Sequence, residues 1–445
     1  MRRAAARRAR LQTAAPEVAR VESLSHDGRG IARVDGKVVF VDGALPGEEI
    51  VLVYTALRRD YSEARLERII TPSPDRVEPR CSAYHACGGC RLQHLDQAAQ
   101  LALKQNELLE QMRRIGKVEP ETILDPLAAQ AFAYRRKARL GVKYVAKKGK
   151  VLVGFREKAS SLITEVESCP VLHPAVGERI AALAELVESL DTRDRVPQIE
   201  VAIGDEDVVL VFRFLAEPTR EDLLRLDEFG RLHRIAICLQ REGPDSVRTL
   251  DGRPPPLLHY SLPDQDLRLA FAPGEFTQVN LQINRLLIGR VIELLDLAPE
   301  HAALDLFCGL GNFSLPIAQR ASHVLGVEGD DALVSRARDN AAANGIANAE
   351  FLRADLFASQ HGATTIDRPF DRVLLDPPRS GALEVLALAP RWGAPRIVYV
   401  SCNPATLARD AGFLVQLGYR LDSAGVLDMF PQTAHVESLA VFTRR

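Results

Sequence analysis

The sequence predicts an α/β protein of three folded parts: a small N-terminal β-barrel, an α+β central domain and a C-terminal doubly wound, Rossmann-like domain. Three observations carry this. Residues 16–74 alternate apolar and polar side chains at period two between turn signals. A Pro-rich linker, TPSPDRVEPR, then leads into a dense cysteine cluster, CSAYHACGGC. From about residue 275 onward, apolar strands alternate steadily with helical segments, the pattern of a parallel sheet covered on both faces. At 445 residues the chain is too long for one core, and about three domains is the expectation. A hydrophobic share of 47% and a charged share of 26% exclude fibrous and disordered classes. No apolar run approaches the roughly 18 residues of a membrane span. The first residues, MRRAAARRAR, lack the apolar stretch of a secretory signal and read as a basic arm over 1–15, with an organelle transit peptide as the alternative. The expected location is the cytoplasm, where clustered cysteines point to metal or catalysis.

In the first part, VARVESL, IARVDG, KVVFVDGAL, EEIVLVYTAL and YSEARLERII are strands, and HDGRG, VDGK and LPGE are the turns between them. The pattern resembles the TRAM domain, a small RNA-binding barrel of the OB-like kind, attached to RNA-modifying enzymes. LDQAAQLALKQNELLEQMRR, residues 95–114, has helical periodicity, and residues 130–270 alternate strands and helices without a nucleotide fingerprint.

The net charge of −2 hides a local patch. Between Ala131 and Arg156 stand nine basic residues and no acid, with Tyr134, Tyr144 and Phe155 among them. Cations neutralise phosphates and aromatic faces stack on unpaired bases, so the strip suggests RNA; a solvated strand edge is the plainer reading.

Cys81, Cys87 and Cys90 crowd one loop, and Cys169, in ESCP, stands far downstream. Four thiolates suit tetrahedral zinc or an iron–sulfur cluster. Zinc usually pairs two C-x-x-C knuckles. Three ligands on one loop plus a distant fourth favour [4Fe-4S], with zinc as the alternative.

AALDLFCGLGNFSLPIA reads as a buried strand, a Gly-rich turn and a helix start. Asp305, Gly309 and Gly311 fit the first loop of a dinucleotide or S-adenosyl-L-methionine site, but the third glycine of the NAD fingerprint is Ser314. The next strand ends in Glu328, placed to bind ribose hydroxyls, and the third in Asp355, beside adenine. The fourth ends in Asp376-Pro377-Pro378-Arg379, similar to the D/N-P-P-Y/F motif of methyltransferases that act on nucleobases. Together these favour S-adenosyl-L-methionine over NAD. Cys308 is read as a small packed residue.

IVYVSCNPATLARD places Cys402 at the lip of the fifth strand, facing the same crevice as Asp376. C5 of uracil is a poor nucleophile until a thiolate adds at C6, and a base must then remove the C5 proton. HVESLAVF offers Glu437 for that role, with His435 nearby.

DPPR, SCNP and HVE, in this order behind a methyltransferase first loop and with FTQVN (Phe276–Asn280) ahead of it, resemble the RNA uracil-C5-methyltransferase family. The resemblance implies a class I methyltransferase fold, Cys402 as nucleophile and Glu437 as general base. Gln278, Phe307, Asn312, Glu328, Asp355 and Asp376 would line the cofactor pocket; Asp355 stands where some members have Asn. Barrel, cysteine cluster and catalytic half together resemble the members that act on 23S ribosomal RNA at uracil 1939. That likeness implies a [4Fe-4S] cluster on Cys81, Cys87, Cys90 and Cys169, 23S rRNA as partner, no DNA or membrane, and a monomer. The domains expected are a TRAM barrel over 16–74, a central iron–sulfur and RNA-binding domain over 75–98 and 130–270, and a methyltransferase domain over 99–129 and 271–445. A transfer-RNA substrate and a non-catalytic RNA chaperone are the alternatives. The radical methylthiotransferases also join a TRAM barrel to a cluster, but they need C-x-x-x-C-x-x-C, which is absent here.

Overall fold

The computed structural model describes residues 15–358 and 366–444, so the basic arm expected over 1–15 lies, but for Ala15, outside the described residues. The chain divides into two compact units, Met1–Glu107 with Pro431–His435, and Leu108–Phe430 with Val436–Arg445.

In the first unit, Glu17–Leu24, Gly30–Val34, Lys37–Asp42, Glu49–Leu57 and Tyr61–Thr71 close into a barrel, in which the fifth strand pairs between the third and the fourth. Period-two alternation makes the closure possible. Ala19, Val21, Ala32, Val39, Val41, Ile50, Leu52 and Ala64 fill the interior, while Arg20, Glu22 and Arg33 face water. The turn anticipated at VDGK is a two-residue hairpin: Val34 pairs with Lys37, and Asp35 and Gly36 take φ of 49° and 77°. Two left-handed residues match the twist of the flanking strands, which is why Asp-Gly stands there. Glu48, fully buried, holds the barrel's return loops. It accepts from Leu45 N at 2.8 Å, Ser73 N at 3.2 Å, Arg76 Nε at 2.6 Å and Arg76 Nη2 at 2.8 Å. The segment Pro431–His435 belongs to this unit through Gln432, whose carbonyl accepts from Arg91 N and Leu92 N. The amide side chain of Gln100 bonds both the side chain and the backbone N–H of Gln432.

The second unit is built on two large sheets. The eight-stranded sheet runs Ala349–Arg353, His323–Glu328, Ala302–Leu306, Arg372–Leu375, Arg396–Ser401, Glu437–Arg444, Tyr419–Leu427 and Thr122–Ile123. Its first five strands are parallel, and Glu437–Arg444 is antiparallel to both of its neighbours. Alternate residues of the same strands feed opposite cores. Ala303, Val324, Leu374 and Val398 pack under the helices Leu281–Leu295 and Asp331–Ala343; Leu304, Leu325, Val373 and Ile397 pack under Pro404–Gln416 and the short helices Leu383–Leu386 and Ala389–Trp392. Buried on both faces, these strands read as continuous apolar runs.

The six-stranded sheet has the order Arg248–Thr249, Ala236–Gln240, Val208–Arg213, Gln198–Ile203, Lys137–Val145 and Lys150–Gly154. One face is covered by the helices Ile180–Ser189 and Arg220–His233. The other, through Ala202, Val209, Val211 and Cys238, joins the core that continues under the eight-stranded sheet, with the hairpin Leu258–Leu262 and Leu267–Phe271 between.

The helix expected over 95–114 is found as Gln97–Gln111, followed by a π turn, Met112–Gly116. The turn presses on Pro404–Gln416 so closely that a Cβ on Gly116 would stand 2.3 Å from the Ala408 carbonyl oxygen. Among the described residues no helix is long and apolar enough to cross a membrane.

Candidate active site

Four parallel strands deliver acids to one edge of the eight-stranded sheet. Asp305 is fully buried; its Oδ2 accepts from Ser314 Oγ at 2.5 Å, and its Oδ1 meets no donor among the described residues. Burial pushes its carboxyl up to about 7, and the charges of Asp376 and Glu328 add to the rise against the Ser314 bond. Asp376, at the end of Arg372–Leu375, is likewise raised by burial to about 7. Glu328 is tied down by backbone donors: Gly309 N at 3.1 Å, Gly329 N at 2.7 Å and Asp330 N at 3.0 Å. Those bonds fix the Gly-rich turn against the second strand.

Within that turn Phe307 takes a φ of 65°, a strained conformation for a residue with a side chain, while its N–H bonds the Val327 carbonyl at 2.8 Å. Its ring lies 5.7 Å from that of Phe357. Asn312 is engaged by protein: its Oδ1 accepts from Tyr260 OH at 2.8 Å and Asn284 Nδ2 at 2.9 Å, and its Nδ2 returns a bond to Asn284 Oδ1 at 2.9 Å. Asp355 is exposed and accepts from Phe357 N at 2.9 Å. Gln278 is half-buried just ahead of Leu281–Leu295. Its segment is held by Arg136 N, which bonds the Val279 carbonyl at 2.9 Å, and by the Lys137 ammonium on the Glu275 carbonyl. Burial pushes Lys137 down to about 8.

Cys402 follows Arg396–Ser401 at the same edge. Ser401 pairs in register with Ser438, whose hydroxyl donates to the Ser401 carbonyl at 3.2 Å, so Glu437 starts its antiparallel strand beside the point where the cysteine's strand stops. Burial pushes the Cys402 thiol up to about 11; the charges of Glu437 and Asp376 raise it further, and the Arg379 guanidinium opposes them. Glu437 is 8% exposed, and His435 is exposed. Asn403 caps the helix Pro404–Gln416 by accepting from Ala405 N at 3.1 Å, while its Nδ2 donates to the Arg379 carbonyl at 3.1 Å. The proline therefore serves as the first helical residue, needing no N–H partner. Two carboxylates and a guanidinium thus act electrostatically on one thiol at this edge.

Sequence reasoning left several contributors aside. In the sequence Ser314 stands out only as a missing glycine, yet its hydroxyl donates to Asp305 Oδ2. Tyr260 and Asn284, which hold Asn312, carry no motif and come from a hairpin and a helix remote in sequence. Cys308 is buried as expected; its sulfur would lie 3.0 Å from a Cβ on Gly326.

None of the seven cysteines is in a disulfide. Cys81, Cys87 and Cys90 lie on one loop of the first unit, and Cys169 belongs to the second. Gly89 N donates to Cys87 Sγ at 3.4 Å, and Cys81 N donates to Gln93 Oε1 at 3.1 Å. Among the described residues no three potential ligands are gathered to hold a metal ion.

The basic strip splits in two. Arg135, Arg136 and Lys137 turn inward onto carbonyls. Arg139, Lys143, Lys147, Lys148, Lys150 and Arg156 are exposed, with Arg139 paired to Glu200 and Lys148 and Lys150 to Glu165. Tyr134 is buried and cannot offer its ring to a base, and Arg193 lies over the ring of Tyr144.

Comparison with known proteins follows the same division. Residues 18–66 match the TRAM domain, and residues 258–445 match the family described as tRNA (uracil-5-)-methyltransferase. Over 97% of its length the chain is 57% identical to the 23S rRNA (uracil(1939)-C(5))-methyltransferase RlmD of Methylococcus capsulatus, covering 98% of that protein. This chain belongs to the RNA uracil-C5-methyltransferase family. A second member, the enzyme of the same name from Alkalilimnicola ehrlichii, is 53% identical over 98% of both chains. The crystal structure of the Pyrococcus abyssi tRNA (uracil-54, C5)-methyltransferase with S-adenosyl-L-homocysteine superposes with a TM-score of 0.73, at 28% identity over 96% of this chain and 99% of that one. The barrel is thus a TRAM domain and the eight-stranded sheet a methyltransferase fold, as expected from sequence.

Proposed function

We propose that the protein methylates C5 of a uridine in 23S ribosomal RNA, at the position its relatives' names give, uracil 1939. The observation that carries the chemistry is the meeting of Cys402, Asp376 and Glu437 at the sheet edge that also bears Asp305 and Glu328. Once deprotonated, Cys402 adds as the thiolate to C6 of the base, and the enolate so formed makes C5 nucleophilic. S-adenosyl-L-methionine supplies an electrophilic methyl group and leaves as the neutral thioether. Glu437 then takes the C5 proton, the C6–sulfur bond breaks, and the thiolate is restored. Asp376 would line the donor pocket and present its carboxyl toward the base, with Arg379 beside it.

The residues present suit the methyl donor. Asp305 Oδ1 is a buried acceptor short of a donor, Gly309 and Gly311 adopt left-handed φ of 54° and 92°, and the acidic edge suits a cationic sulfonium. Gln278, Phe307, Glu328 and Asp355 would contact the donor, while Asn312 would shape the pocket from behind through its bonds to Tyr260 and Asn284. For Cys81, Cys87, Cys90 and Cys169 the donor set suits [4Fe-4S] by its thiol chemistry. Three undisulfided cysteines on one loop and the backbone donor on Cys87 support this. The cluster would be structural, with no part in methyl transfer. The exposed strip from Arg139 to Arg156 and the TRAM barrel would bind RNA phosphates, and the protein would act in the cytoplasm as a monomer.

The full-length likeness to a tRNA (uracil-54, C5)-methyltransferase favours a second reading, a transfer-RNA substrate. Mapping 5-methyluridine in both RNAs from cells lacking the protein separates them: loss from 23S rRNA alone is expected, and loss from tRNA alone overturns the first reading. Cys402→Ala should abolish turnover while the methyl donor still binds. Glu437→Gln should accumulate a denaturant-resistant protein–RNA adduct, because the steps before proton removal remain possible.

A further inference from the structure

The two turns that bear Asp376 and Cys402 are cross-braced by a buried cluster outside the crevice. Asp410, in the helix that starts just after Cys402, is fully buried and accepts on every side. Its Oδ2 takes the Tyr399 hydroxyl at 2.6 Å and the Ala382 N–H at 2.8 Å. Its Oδ1 takes Arg409 Nε at 2.8 Å and Arg409 Nη2 at 2.7 Å. Arg409 Nη2 also donates to the Ser380 carbonyl at 2.9 Å, and Asn403 Nδ2 reaches the Arg379 carbonyl. Residues 379, 380 and 382, the continuation of the Asp376 turn, are each held by the helix of the nucleophile.

There is no slack in this brace. Gly381 sits at φ +83°, and a Cβ there would stand 2.5 Å from Arg409 Nη2 and 2.6 Å from Asp410 Oδ2. Tyr399 comes from the strand Arg396–Ser401, which Cys402 follows, so one carboxylate joins the nucleophile's strand, its helix and the neighbouring turn. A network in which every member is satisfied has one arrangement rather than several.

We infer that Asp410, with Arg409 and Tyr399, positions Asp376 against Cys402 and so sets the geometry of the reacting base. This rests on the reading of Cys402 as nucleophile. Asp410 touches neither base nor donor, which makes it a positioning residue. Displacing a reacting group by about 1 Å can cost roughly a hundredfold in rate.

The test uses the full-length protein, radiolabelled S-adenosyl-L-methionine and a 23S rRNA fragment spanning the target uridine. Asp410→Asn should lower kcat by about tenfold to a hundredfold while KM for the methyl donor stays within about twofold. It should slow adduct formation by the same factor in a Glu437→Gln background. Leu414→Ala, in the same helix and buried in its core, should lower the melting temperature without changing kcat. A normal kcat for Asp410→Asn overturns the inference. So does a kcat for Leu414→Ala that falls as far as that of Asp410→Asn at equal melting temperature. Should Asp410→Asn not fold, Tyr399→Phe decides: removing one bond to Oδ2 should lower kcat severalfold, and unchanged turnover overturns the brace. Turnover by Cys402→Ala would instead defeat the nucleophile reading, whatever Asp410→Asn does.

Discussion

Buried carboxylates in this protein fall into two regions that treat the same group in opposite ways. Under the barrel loops Glu48 receives four donors, and at the start of Arg220–His233 Asp222 receives Asp191 N at 2.7 Å, Thr192 Oγ1 at 2.7 Å, Thr219 N at 3.1 Å and Thr192 N at 3.3 Å. In both, burial alone would raise the carboxyl, but the donors outweigh it and hold the value below the ordinary carboxylate range. At the methyltransferase edge Asp305 is met only by Ser314 among the described residues, its Oδ1 is left without a donor, and burial wins. The carboxylates that hold the fold are saturated; the one at the proposed donor site is left short. The difference is a matter of donor count, since both kinds are buried.

The contrast can be broken most directly at Glu48. Glu48→Ala strands Leu45 N, Ser73 N and the Arg76 guanidinium, and should cost about 3–5 kcal/mol in urea denaturation. A loss below about 1 kcal/mol would mean that the loops do not depend on it. Asp222→Ala removes a capping box together with the loop at Asp191 and Thr192, and should cost about 2–4 kcal/mol by the same measurement.

Asp305 should respond with the opposite sign. Its folded value lies above its unfolded one, so the folded state retains a proton between about pH 4 and 7 that the unfolded chain has lost, and stability falls as pH rises through that window. Glu48 and Asp222, with lowered values, do the reverse: their contribution is full above the ordinary carboxylate value and is lost as pH falls through the folded one. Asp305→Asn should therefore stabilise the protein without methyl donor by about 1–3 kcal/mol at pH 8, with little change at pH 4. The same variant should bind the donor more weakly in calorimetry. Destabilisation at pH 8 would show that the site acid is saturated after all.

These two regions were also unequally legible in the sequence. Periodicity placed the barrel strands, and the runs ending in Asp305, Glu328, Asp355 and Asp376 announced the parallel sheet, because both signals are local. Cys402 and Glu437 could be set at neighbouring strand ends from the apolar runs beside them, and the register of Ser401 with Ser438 brings those ends together; the roles proposed for them come from the family resemblance. Ser314, Tyr260 and Asn284 were not legible, since a hydroxyl bonded across nine residues or an amide bonded across 28 leaves no spacing rule. Nor was Asp410: a polar residue 28 positions from its partner Ala382 looks like an exposed helix face until the helix is docked. Tyr134 erred the other way. Its place among cations suggested stacking on bases, but the ring fills the core.

The smallest effect expected lies on the thiol, where the same balance of burial and neighbouring charge can be read without RNA. Burial, Glu437 and Asp376 hold Cys402 mostly protonated at neutral pH, and Arg379 alone among these neighbours favours the thiolate. Alkylation of Cys402 by iodoacetamide should therefore climb between pH 7 and 9 without reaching a plateau, because only the thiolate reacts. Glu437→Gln removes a negative neighbour and should quicken alkylation at pH 8 severalfold. Arg379→Ala removes the positive one and should slow it by a similar factor. Mass spectrometry of the peptide containing Cys402 separates this thiol from the six others. Equal rates in all three proteins would mean that solvent screens these charges, and Arg379 would then have no influence on how readily the Cys402 thiolate forms.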